Sequence, residues 1–279
     1  MADVAAFERE RPRLRALAYR MLGSVAEAED VVQDAWLRWN AVDAAESARA
    51  YLTTIVTHLC LDQLKSARVR REQYVGPWLP EPIRTGDDEP DRESISLAFL
   101  LILERLSPIE RAVLLLHRVF DHSHAEIARL VGKDEAAVRQ VLHRASARVA
   151  AERPRFAPSA AEHARLLAGF LQACAAGDVA ALGAMLADDA VAHTDGGGKV
   201  QAARRAVVGA DAVARFFVGL GRKGDGYDGL DVESAELNGW PAAIVRRGGV
   251  VAYVVGIETD GATIVAVHVV SNPDKLRRL

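Results

Sequence analysis

Apolar and polar positions alternate along the chain so as to place helices first and strands last. From Val4 to Leu22 apolar residues recur every three or four positions, which predicts an amphipathic helix closed by Gly23. Ser24 then stands as an N-cap with Glu27 three residues on, and the helix it opens runs to about Asn40, burying Ala28, Val31, Val32, Ala35 and Trp39. A third helix, Ala48 to about Arg71, buries Leu52, Ile55, Val56, Leu59 and Leu64 and ends in a basic cluster. Four more helices are predicted at Ser94–Leu106, Pro108–Phe120, His124–Val131 and Asp134–Val149. From about Ser159 the period changes. Helices at Ala161–Ala175, Asp178–Leu186 and Ala210–Leu220 accompany a strand at Ala190–Thr194, and strand-like runs follow at Leu230–Leu237, Ala242–Arg247, Val250–Glu258 and Thr263–Val270, separated by NGWP, RRGG and TDGA turns. Helices followed by a curved antiparallel sheet predict an α+β cone.

The most specific local pattern is AEIARLVGKDEAAVRQVLHRA, beginning at Ala125. Ala128 is small enough to let two helices cross closely, Gly132 falls in the turn and Val138 packs back, which is helix-turn-helix spacing. With Asp134 capping the second helix, Arg139, Gln140, His143, Arg144 and Arg148 share an exposed face of donors suited to phosphates and major-groove base edges. The competing reading is an αα-hairpin with a solvated basic face.

Charge sharpens the division. The chain of 279 residues has a net charge of −3, but Ser24–Glu46 carries six carboxylates against Arg38, and Lys65–Val75 carries Lys65, Arg68, Arg70 and Arg71 against Glu72. Between Arg129 and Arg155 seven basic side chains oppose three acidic ones. The segment Glu81–Glu93, with GDDEPD and several prolines around it, reads as an extended acidic connection. Half the residues are hydrophobic and 26% are charged, a balance that excludes wholesale disorder and fits two or three domains. No apolar run reaches membrane-spanning length and the N-terminus lacks a secretory h-region, so a cytoplasmic protein without a membrane partner is expected. Cys60 and Cys174 are too few and too far apart for a disulfide framework or a zinc module. His117, His122 and His124 straddle a helix end without a fixed ligand face, so neither metal nor cofactor is expected.

AEDVVQDAWLRWN with AYLTTIVTHLCLDQLKSARVRR resembles region 2 of extracytoplasmic-function RNA polymerase sigma factors, and LERLSPIERAVLLLHRVFDHSHAEIARLVGKDEAAVRQVLHRA resembles region 4. The linker YVGPWLPEP, the turn DGGGK at Asp195–Lys199 and the tail NPDKL resemble the sigma factors of the sigma J type, which carry a fused SnoaL-like domain. The implied fold is multidomain: two all-α sigma domains, at residues 1–72 and 94–153, a linker at 73–93, and an α+β NTF2-like, SnoaL-like cone at 154–279. The implied partners are core RNA polymerase, through its β′ clamp helices and its β subunit, and promoter DNA; no obligatory anti-sigma factor is predicted. Glu27, Asp30, Gln33, Asp34 and Trp36 would then dock on polymerase; Thr54, His58, Asp62, Lys65, Arg68, Arg70 and Arg71 would engage the −10 element; Lys133, Arg139, Gln140, His143, Arg144 and Arg148 would engage the −35 element. Two features depart from the family pattern: Tyr51 is the single aromatic offered to flipped bases, and Lys133 replaces an apolar turn residue.

For the cone, two readings stand. In one it regulates within the chain: the glycine amides and Lys199 would receive the linker at Trp78, Leu79, Pro80 and Glu81, with Asp195, Gly196, Gly197, Gly198, Asn272, Pro273, Asp274 and Lys275 completing the contact. In the other, a helix-turn-helix regulator is fused to a small-molecule-binding or isomerase-like enzyme domain, with His193, Asp195 and His268 as acid/base candidates and an unknown ligand in the pocket. Asp195 by itself reads as a turn residue and each histidine as a hydrogen-bonded core residue, so a non-enzymatic role is expected.

Overall fold

The computed structural model describes residues 3–41, 47–85, 95–152, 159–223 and 226–279, and of residues 67–72 and 152 the backbone alone. GDDEPD, in the predicted acidic connection, lies outside the described residues, as do the side chains of Arg68, Arg70 and Arg71. The chain forms two compact units, Met1–Gln73 with Phe99–Arg153, and Tyr74–Ala98 with Pro154–Leu279.

The first unit is helical. Helix α1 (Val4–Leu22) starts at Asp3, whose side chain accepts from the Ala6 amide, and α2 (Val25–Asn40) starts at Ser24, which accepts from the Glu27 amide. Helix α3 spans Ala48–Glu72. The fully buried Leu14, Leu17, Ala28, Ala35, Leu52 and Val56 come from all three helices, as the period of three and four requires. Helices α4 (Leu97–Glu104), α5 (Pro108–Arg118), α6 (His124–Val131) and α7 (Glu135–Glu152) follow. α5 and α6 each open with a complete Ser–Glu capping box, Ser107/Glu110 and Ser123/Glu126. The two segments predicted as separate sigma domains share this unit, stitched by Arg111, which is 2% exposed and donates to the Met21 carbonyl at 2.6 Å and to Glu104 at 2.7 Å. Burial holds the Arg111 pKa down at about 9.

The second unit is α+β. Helices α8 (Ala160–Ala176), α9 (Val179–Met185) and α10 (Ala210–Gly221) accompany strands β1 (Leu186–Asp195), β2 (Val207–Val208), β3 (Leu230–Leu237), β4 (Trp240–Arg247), β5 (Val250–Thr259) and β6 (Ile264–Val270), in the order β2-β1-β6-β5-β4-β3. The antiparallel expectation is corrected at one pair. β1 and β6 run parallel, because α10 and the β3–β6 meander separate them in sequence and return β6 alongside β1 in the same direction. α9 also ends one residue earlier than predicted, and β1 begins at Leu186 instead of Ala190.

Both faces of the sheet are buried along its central strands β1, β6, β5 and β4. Ala192, Val267, Val255, Ile257, Ala243 and Val245 face the helices and share a core with Leu166, Phe170, Leu182 and Phe217. The alternate positions Asp195, His268, Val270, Val254, Ala242 and Ile244 point the other way and are also buried. At the sheet's far edge Arg84 bridges Leu237, the Thr85 amide donates to Glu236, and Asn238 donates to the Ile95 carbonyl. Leu79 and Ile95 are each 1% exposed. Leu79 and Ile95 are therefore part of this unit's interior.

Candidate nucleic-acid interface and linker latch

The helix-turn-helix is built as its spacing requires. Gly132 closes α6 at φ 65°, a left-handed conformation that suits glycine, and its amide donates to Ala128. Val138 and Ile127 are fully buried between α6 and α7. Asp134 accepts from the Ala137 amide at 2.7 Å, leaving the exposed face of α7 to project outward. On that face Arg139, Gln140, His143 and Arg144 surround one open hollow of about 440 Å³. Lys133 is exposed in the turn. Arg148 lies apart from the hollow, bonded to Glu110 at 2.9 Å, and thereby ties α7 to the first turn of α5.

On α2, Asp30, Gln33 and Asp34 are exposed and share a face, with Glu27 partly buried one turn before. Trp36 is half-buried with its ring centroid 4.9 Å from that of Phe7. Leu37, 60% exposed one turn beyond Gln33 and Asp34, belongs to the same face and escaped the sequence reading. Its signal was an apolar residue off the buried stripe of α2.

Along α3, Thr54, His58, Asp62 and Lys65 form one stripe. Thr54 bonds back to the Ala50 carbonyl at 2.8 Å, and Lys65 pairs with Asp62 at 2.9 Å, which lowers the Asp62 pKa. His58 Nε2 lies 2.7 Å from the Leu130 carbonyl at the end of α6. A carbonyl only accepts, so the proton sits on that nitrogen. To meet nucleic acid through this atom, His58 has to release α6. Arg13 joins the same region by donating to Thr53 at 2.9 Å, and lies 2.9 Å from His122.

In the second unit the linker, the glycine turn and the C-terminal tail converge on Asp195, which is fully buried at the end of β1. One carboxylate oxygen accepts from the Tyr74 hydroxyl at 2.6 Å and the Gly197 amide at 3.0 Å, and the other accepts from the Leu79 amide at 2.9 Å and Lys275 Nζ at 2.7 Å. Four donors leave no lone pair of this buried charge unmet. Lys275 also donates to the Leu79 carbonyl and lies 4.3 Å from the Trp78 ring centroid. Asn272 donates to the Tyr74 hydroxyl at 2.9 Å. Burial and then the Asp195 carboxylate push the Tyr74 pKa up.

The turn admits no side chain at its centre. A Cβ on Gly197, at φ 61°, would come within 2.3 Å of Asn272. Of the residues predicted to meet here, the structure brings together Trp78, Leu79, Asp195, Gly197, Asn272 and Lys275, by a different chemistry. The expected Lys199 grip on the linker is corrected: Lys199 pairs with Asp274, and the hydrogen bonds of Tyr74 and Leu79 run to Asp195, Asn272 and Lys275. Asp195 is the centre of this contact and no mere turn residue.

His193 and His268 stack in register on β1 and β6 with centroids 5.3 Å apart, and His268 Nε2 lies 2.6 Å from Glu258. Among the described residues no group of three or more His, Cys, Asp or Glu is placed to hold a metal ion, and no helix is long and apolar enough to cross a membrane.

Residues 6–70 match the family Sigma-70 region 2, and residues 96–149 match Sigma-70, region 4. Over 98% of its length the chain is 39% identical to the ECF RNA polymerase sigma factor SigJ of Mycobacterium tuberculosis (strain ATCC 25618 / H37Rv), covering 93% of that relative. It is 31% identical over 98% of its length to the Probable ECF RNA polymerase sigma factor SigI of the same strain, covering 94% of it. The crystal structure of M. tuberculosis extracytoplasmic function sigma factor SigJ matches with a TM-score of 0.77 at 35% identity over 98% of both chains.

Proposed function

The chain belongs to the ECF RNA polymerase sigma factors, and from that premise we propose that it recruits core RNA polymerase to promoters in the cytoplasm, with its C-terminal domain controlling it in cis. In this reading residues 1–72 and 94–153 act as the polymerase- and promoter-binding regions, residues 73–93 connect them, and residues 154–279 regulate without catalysing a reaction. The exposed face of α2, Asp30, Gln33, Asp34 and Leu37, meets the β′ clamp helices, since carboxylates around one apolar contact suit a basic helical partner. The α3 stripe meets the −10 element and the hollow of α7 meets the −35 element.

The observation that carries the proposal is the α7 face: four donors around one hollow, on the second helix of a correctly capped helix-turn-helix. Cis control is supported by the Asp195–Lys275 latch, which ties the connecting segment to the domain that follows region 4. Tethering keeps that contact at an effective concentration on the order of millimolar, so an anti-sigma partner is not required. The helix-facing side of the sheet is filled by packed side chains, which favours regulation over pocket chemistry.

The test is promoter opening and transcription by the chain with core polymerase. Core-dependent initiation that fails with Arg139→Ala or Arg144→Ala is the expected result. Sequence-specific duplex binding without core polymerase, and no initiation with it, would return the repressor–enzyme fusion.

A further inference from the structure

We propose that Glu135 is a specificity-determining residue of the −35 reading face, acting on base choice through Arg139. The inference rests on the assignment of α7 as the promoter-reading helix. Glu135 opens α7, one turn before Arg139, and Arg139 Nη1 lies 2.6 Å from Glu135 Oε1. Capping is already done by Asp134, so the Glu135 carboxylate is not needed to satisfy first-turn amides. The two side chains are 47% and 55% exposed, at the helix end that enters the major groove in helix-turn-helix proteins.

A carboxylate there repels phosphate and weakens non-specific binding. Toward base edges it has two useful properties. It holds one arm of the guanidinium, so that the remaining N–H groups project as a fork matched to guanine O6 and N7. Its own oxygens accept from the cytosine N4 amino group and are repelled by edges that present acceptors alone. Glu135 and Arg139 together therefore favour a cytosine beside a guanine. The rest of the hollow, Gln140, His143 and Arg144, carries no carboxylate, so the discrimination is local to this pair.

An i,i+4 pair can also be simple helix decoration, and the molecule contains a control for that. Asp211 and Arg215 on α10, a helix of the second unit, make the same pair at 2.8 Å, 72% and 70% exposed. The experiment measures promoter binding by the full chain with core polymerase across duplexes randomised in the −35 element, for wild type, Glu135→Gln, Arg139→Ala, the double variant and Asp211→Asn. Glu135→Gln should lose about 10-fold discrimination at one or two adjacent base pairs while binding non-specific duplex as well or more tightly, with the loss non-additive with Arg139→Ala and absent from Asp211→Asn. A uniform change across all sequences, or no change, in Glu135→Gln while Arg139→Ala is defective would overturn the inference and leave the reading helix in place. Wild-type binding by Arg139→Ala would instead remove the reading helix, and the inference with it.

Discussion

Asp195 and Lys275 meet at 2.7 Å with 0% and 10% of their side chains exposed, whereas Glu135 and Arg139 meet at 2.6 Å with 47% and 55% exposed. The distances hardly differ, and the environments set the roles. A buried pair is stable only when every remaining donor and acceptor is matched, as the four bonds on Asp195 achieve, and it cannot exchange partners without unfolding its surroundings. The exposed pair contributes at most about 0.5 kcal/mol to the fold and is free to turn toward a ligand. The first is committed to holding the chain together, and the second is available for recognition.

The sharpest way to break this contrast is to remove one partner of the buried pair. Asp195→Ala should cost about 3–5 kcal/mol in denaturant unfolding of the C-terminal unit, because Lys275 is left buried and uncompensated, and adding Lys275→Met should recover part of the loss. A loss below 1 kcal/mol would show that water reaches the site. Next in size, Arg144→Ala should weaken holoenzyme binding to a −35 element by about 1–3 kcal/mol without moving the unfolding midpoint; a stability loss would show that the exposed face is structural after all. Trp78→Ala should cost about 1–2 kcal/mol through the lost ring contact with Lys275, shift promoter-dependent transcription, and be non-additive with Lys275→Met.

The smallest effect is nil at neutral pH. Burial holds the His163 pKa at about 4, below the ordinary 6.5, so its neutral form is the one the fold accepts. Stability tied to His163 is complete above about pH 6.5 and is lost as pH falls through about 4. His163→Phe, which keeps a ring against Trp240, should flatten the dependence of the unfolding midpoint on pH in that window. An unchanged slope would place the acid sensitivity elsewhere.

What sequence made legible follows the range of the interactions. Helix starts at Ser24, Ser107 and Ser123 and the stop at Gly132 are local chemistry and appear where spacing places them. The helix-turn-helix turn is equally local, whereas Glu135 went unread because acidic residues near a helix start look like dipole compensation, and the tie of Arg148 to Glu110 spans 38 residues. The parallel β1–β6 pairing is non-local and has no signature in either strand. β1 begins in LADD, where exposed Asp188 and Asp189 imitate a loop, and its register shifts between Leu186 and Val191. Asp195 looked like a turn residue because GGG follows it. Its burial comes from Tyr74, Leu79 and Lys275, which stand 121, 116 and 80 residues away. The tie between His58 and Leu130 likewise joins positions 72 residues apart.

The interleaving of the two units has a consequence for the nascent chain. The Leu79 carbonyl accepts from Lys275, which leaves the ribosome 196 residues later. At ~5–20 residues per second this is an interval of about 10–40 s. Throughout it Leu79 and Trp78 have been synthesised and Lys275 has not, so the Leu79 carbonyl and the Trp78 ring stay open to a chaperone until the tail emerges to engage them.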